Sequence, residues 1–140
     1  MLLGVNMTTY ANSTRRYLLG LGCERGTDWN DVRVLAERAF EEAGIGSEQV
    51  LAIVSIDARM NEPAILETAT HFRLPVRFFK AAALERETPR LKNPSEIVFA
   101  QVGCHGVAEA AALAAAGPDS ELVLPKIKSS FATAAIARVV

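Results

Sequence analysis

The 140-residue chain has the length of one ordinary domain; half of its residues are hydrophobic and 22% are charged, a globular balance rather than a disordered one. A formal net charge of −1 argues against a general nucleic-acid binder, which needs an excess of phosphate-neutralising Lys and Arg. No run approaches the ~20 apolar residues that span a bilayer. Aromatic residues are scarce at 6%, so the expected core is aliphatic, with close contacts between alanine-rich helices and a sheet.

The start of the chain turns polar too early for a signal-peptide core, and the expected compartment is the cytoplasm. There Cys23 and Cys104 are reduced thiols, without neighbours at metal-ligand spacing, so no metal is expected. Residues 6–16 are polar and aperiodic, and residues 1–16 are read as a flexible leader to a domain over 17–140.

The short apolar run 17–22 predicts a buried strand. Val32, Leu35, Ala36, Ala39, Phe40 and Ala43 then fall on one face of a helix that Thr27 or Asp28 caps and Gly44 stops. The nearly continuous apolar stretch 50–56 predicts a strand covered on both faces. A second helix starts at Asn61-Glu62-Pro63, buries Ile65, Leu66, Ala69 and Phe72, and ends before Pro75. Residues 76–79 predict a third strand, and 81–94 a short helix and a loop.

Residues 95–102 fit a strand or a short helix equally. Gly106 opens an alanine-rich helix that Gly117-Pro118 closes, and 121–125 and 133–140 predict two last strands. Strands alternating with helices imply a single three-layer α/β/α domain around a mainly parallel sheet of about five strands. The last two strands are close enough in sequence for one to run antiparallel.

In such a sheet, ligands bind beyond the carboxyl ends of the strands. Four segments fall there. In the first, Gly20, Gly22 and Gly26 are misspaced for a dinucleotide fingerprint, and no phosphate-loop signature or other cofactor motif occurs. The backbone N–H groups of Gly26 and Thr27, beside Arg25, make an anion site or an ordinary helix cap. In the second, Asp57 and Glu62 are candidate general bases and Arg59 a candidate carboxylate clamp; a surface turn is the alternative. In the third, His105 sits between Gly103 and Gly106, with Glu109 one turn into the helix. In the fourth, Lys126 and Lys128 follow Pro125. Arg25, Arg59, Lys126 and Lys128 are expected to converge on one sheet edge, which suits a ligand with several anionic groups.

Five blocks in order resemble the CobE/CbiG C-terminal domain family of cobalamin biosynthesis. Gly20-Leu21-Gly22-Cys23-Glu24-Arg25-Gly26-Thr27 resembles its G-x-G-C-R-R-G-T opening, and 55–63 its S/T-x-D-x-K-x-x-E block. Residues 74–79 match L-P-x-x-F-F, 102–112 resemble V-G-V-x-x-V-A-E-A-A-A, and 124–137 fit the closing block. Glu24 stands where the family often has a second Arg, Arg59 replaces a Lys, and Cys104-His105 replaces a more apolar pair.

The blocks run from Tyr17 to the end of the chain and leave no CbiG N-terminal region, so the resemblance is to the free-standing CobE form. It implies the three-layer fold and a corrin-ring intermediate, an apolar-faced macrocycle fringed with carboxylates, as ligand. Cys23, Arg25, Gly26, Thr27, Arg59, Gly103, His105, Gly106, Glu109, Lys126 and Lys128 would hold it. The protein would act as carrier or accessory protein, with other corrin-pathway enzymes as further partners. The alternatives are a CbiG-like hydrolase that opens a precorrin lactone and releases acetaldehyde, using Asp57 or Glu62 as base, and a non-catalytic partner of a larger corrin-pathway enzyme.

Overall fold

The computed structural model describes residues 14–140. Five strands form one sheet in the order β3-β2-β1-β5-β4. They are β1 (Tyr17–Cys23), β2 (Val50–Ile56), β3 (Val76–Phe79), β4 (Glu121–Lys128) and β5 (Ala132–Arg138). β1, β2 and β3 are parallel, whereas β5 runs antiparallel to both β1 and β4. The sheet is thus parallel in one half and antiparallel in the other. This arrangement brings the carboxyl ends of β1 to β4 and the start of β5 to one edge.

Successive residues of a strand point to opposite faces, and β1 serves both. Leu19 and Leu21 enter a cluster with Val32, Leu35, Ala36, Ala39 and Phe40 of α1 (Trp29–Ala43) and with Ala64, Ile65 and Ala69 of α2 (Pro63–Phe72). Leu18 enters the opposite cluster, with Ala52, Val54 and Ile56 of β2, Leu84 of α3 (Ala81–Glu85) and Ala110 and Ala111 of α5 (Ala108–Ala116). The result is the expected three layers.

Local sequence sets the ends. Asp28 accepts from the Asn30 N–H at 2.9 Å to start α1, and Gly44 ends it at φ 71°. Gly20 matters for packing instead. A Cβ there would overlap the Ala108 carbonyl, so its bare backbone lets α5 lie close on the sheet.

One open alternative is resolved and several expectations are corrected. Residues 95–102 form a helix, α4 (Glu96–Val102), because Ser95 Oγ caps it by accepting from the Val98 N–H at 3.2 Å. The alanine helix opens at Ala108, not Gly106. β4 continues past Pro125 to Lys128: it is an edge strand, and Pro125-Lys126 form a bulge opposite β5 where no ladder N–H is needed. Order also begins before Tyr17. Arg15 Nη1 donates to the Val50 carbonyl, and the Arg16 N–H to that of Gln49 at 2.9 Å. Residues 1–13 of the expected leader lie outside the described residues. No helix among the described residues is long and apolar enough to cross a membrane.

Candidate functional site

A cleft of about 230 Å³ opens at the edge where the strand ends meet. Ile56, Val98, Val102 and Val107 give it apolar walls, and Arg59, Lys126 and Lys128 stand around it. Glu24 is the one carboxylate among the lining residues, so three cations face one anion in a protein whose net charge is −1.

Each cation is placed by backbone. Arg59 lies in the turn after β2, and its Nε donates to the Cys23 carbonyl at 2.8 Å, which ties the guanidinium across the ends of β1 and β2. Lys126 sits on the β4 bulge, which turns its N–H out of the ladder to Glu109 Oε2 at 2.9 Å. Its Nζ lies 3.5 Å from the Asn93 carbonyl. Lys128 ends β4 and is exposed.

Glu109 is not at the cleft. It is buried at 2% exposure and accepts four hydrogen bonds, from the N–H groups of Lys92, Asn93 and Lys126 and from Asn93 Nδ2. Burial pushes its pKa up, but these donors, the Lys126 N–H foremost, outweigh it and hold the carboxyl below its ordinary value. Glu109 therefore fastens the 92–93 loop and the Lys126 backbone to α5.

The remaining expected site residues divide. Cys23 and Gly106 line the cleft. Burial and the Glu62 carboxylate push the Cys23 thiol up to about 11, so it is no thiolate nucleophile at neutral pH. The N–H groups of Gly26 and Thr27 are not free for an anion, a correction to the sequence reading. Gly26, at φ 76°, donates to Glu62 Oε2 at 3.1 Å, and Thr27 to the Glu24 carbonyl at 3.3 Å. Arg25 is exposed and lies outside the cleft walls, as do Asp57 and the buried Glu62. Gly103 ends α4 at φ 87°.

His105 also lies outside the cleft walls. Its Nδ1 lies 2.9 Å from both Glu85 oxygens and its Nε2 3.2 Å from Glu96 Oε2, and the ring stacks on Phe99 at 4.3 Å. The hydrogen bond to Glu85, ahead of the charges of Glu85 and Glu96, holds the imidazole above its usual 6.5. The walls that sequence reasoning did not single out include Val98, Gln101 and Val102 of α4, Val107, and the exposed Phe131. The i, i+4 spacing of Val98 and Val102 is a signal for them once 95–102 is known to be a helix. Among the described residues, no group of three or more His, Cys, Asp and Glu could hold a metal ion.

A single three-layer α/β domain with a cation-rimmed cleft at its strand ends is thus the class of protein in hand. The family model described as the cobalamin synthesis G C-terminus matches residues 17–137, and the chain belongs to that family of cobalamin biosynthesis proteins. It is 55% identical over 120 residues to the protein CobE of a Sinorhizobium species, a match covering 86% of this chain and 78% of that one. It is 29% identical over 119 residues to the cobalt-precorrin-5A hydrolase of Priestia megaterium, covering 85% of this chain and 31% of the hydrolase.

Solved structures share the fold. The crystal structure of CobE, a protein from the cobalamin biosynthetic pathway, superposes with a TM-score of 0.83 at 37% identity, covering 89% of this chain and 90% of that one. The crystal structure of cobalamin biosynthesis protein chiG from Agrobacterium tumefaciens does so with a TM-score of 0.66 at 26% identity, covering 88% and 98%.

Proposed function

We propose that this protein binds a polycarboxylate corrin-ring intermediate at the strand-end cleft, as a carrier or accessory protein of cobalamin biosynthesis. The observation that supports it is the pairing of three cations, Arg59, Lys126 and Lys128, with an apolar wall in one cleft. A macrocycle with apolar faces and acidic arms needs both. Charge-assisted hydrogen bonds contribute ~1.5–3 kcal/mol each, so three of them with some apolar contact reach the ~8 kcal/mol of micromolar affinity. At about 230 Å³ the cleft is smaller than most enclosed ligand sites. It therefore takes one edge of the ring and leaves the rest accessible, as a carrier requires.

Titration of the purified protein with hydrogenobyrinic acid tests this. A saturable absorbance shift with a Kd in the micromolar range, and co-elution on gel filtration, are expected. Neither a shift nor co-elution at micromolar concentrations would overturn the reading.

The similarity to a cobalt-precorrin-5A hydrolase favours a second reading, lactone opening with acetaldehyde release. The geometry favours it less, because Asp57 and Glu62 do not line the cleft and Glu62 is bonded to Gly26. The carrier reading expects no acetaldehyde from a lactone-bearing precorrin; release that vanishes in Asp57→Asn would establish the hydrolase instead.

A further inference from the structure

α4 forms a wall of the cleft with Val98, Gln101 and Val102, yet none of its seven residues is buried, whereas every other α-helix among the described residues buries at least one. Its polar and aromatic attachments gather on His105. The His105 carbonyl accepts from the Ser95 N–H at 2.7 Å, the ring stacks on Phe99, and Nε2 lies 3.2 Å from Glu96. On its other side, His105 is held by Glu85 of α3, which also accepts from the His105 N–H at 3.0 Å. α3 is rooted in the core by the fully buried Leu84. One imidazole thus joins a core-rooted helix to a cleft wall that otherwise meets the core through Val102.

We propose that His105 is a positioning residue, which latches α4 in place as the apolar wall of the ligand cleft. The ligand part of this inference rests on the corrinoid-binding reading; the latch itself does not.

Both ring nitrogens face carboxylates, and only the imidazolium can donate from both at once. The titratable groups facing the ring are Glu85 from α3 and Glu96 from α4, with Cys104 beside it, a buried thiol that burial pushes up. The imidazole is held above 6.5, with Glu85 the main cause. A raised folded-state value means the latch is complete below the ordinary value and is lost as pH rises through the folded one. Loss begins at Glu96, whose side chain is far more exposed than that of Glu85. Deprotonated His105 would therefore loosen α4 at its Glu96 end while the sheet stays folded.

Amide hydrogen exchange of the full chain without ligand reads the latch directly. In His105→Gln, exchange in 96–102 is expected to quicken roughly tenfold, while β1, β2 and β5 keep their protection. Wild type is expected to lose α4 protection as pH rises through the imidazole range, after correction for intrinsic exchange, and His105→Gln to show no such step. Unchanged α4 exchange in the variant, or no step in wild type, would overturn the proposal.

If His105→Gln loosens the sheet as well, Glu96→Gln decides. That change lies on a side chain 89% exposed, so the core is untouched; faster exchange confined to α4 supports the latch, and no change overturns it. A second readout is hydrogenobyrinic acid affinity, expected to weaken several-fold in His105→Gln. Should wild type bind no such ligand, the functional reading fails and the exchange result still decides the latch.

Discussion

A carboxylate that is almost wholly buried stays ionised only where donors surround it, and Glu109 has four. Replacing it by Gln turns an amide N–H₂ toward groups that are themselves donors, which should cost about 2–3 kcal/mol in chemical denaturation. The folded-state value is lowered below 4.5, so its contribution is complete above that pH and is lost as pH falls through the folded value. The stability difference between wild type and Glu109→Gln should accordingly shrink on acidification from neutral pH to below 4; a pH-independent difference would refute the role.

Glu24 is the opposite case. It is an exposed carboxylate at the cationic cleft, and its position is the one where the resembling family often carries Arg. Glu24→Arg is expected to tighten hydrogenobyrinic acid binding roughly three- to tenfold at low salt, with the gain fading at high ionic strength. Weaker binding would show that the cleft does not read charge.

Among the elements, the contact of β1 with α5 leaves no room for change. Gly20→Ala would drive a methyl group into the Ala108 carbonyl, and since backbone cannot yield as a flexible side chain can, a loss of about 3 kcal/mol is expected in thermal or urea unfolding. A variant as stable as wild type would mean that α5 can ride off the sheet.

The elements with strong periodicity were legible from sequence: the β2 run 50–56, the apolar face of α1 and the third strand at 76–79 all lie where hydrophobic pattern puts them. What pattern could not reach was tertiary. α4 buries no residue, so it carries no amphipathic signature for a core. Pro125 reads as a strand end because sequence does not reveal that β4 is an edge strand with a bulge.

The site divided in the same way. The strand-end rule found the cationic segments of Arg59, Lys126 and Lys128, because it depends only on strand order along the chain. It could not tell which side chains were already spent. Glu62 meets Gly26 across 36 residues, and Glu109 meets Lys126 across 17, pairings that no local spacing encodes.

On the scale of the whole molecule, a protein with a net charge of −1 gathers three cations around one cleft. Because these cations are partly or fully exposed, their attraction for a polyanion is screened by salt, and affinity should fall steadily as ionic strength rises. Binding driven only by the apolar wall would hold or strengthen instead.

The most direct test of corrinoid binding at this cleft is the affinity for hydrogenobyrinic acid in two variants, the triple Arg59→Met, Lys126→Met, Lys128→Met and the single Arg25→Met. Methionine keeps much of each stem and the Lys126 backbone bond while removing the charge. The triple variant is expected to lose roughly 100-fold or more in affinity, and Arg25→Met, outside the cleft walls, less than about threefold. Unchanged binding by the triple variant, or a comparable loss from Arg25→Met, would contradict the account.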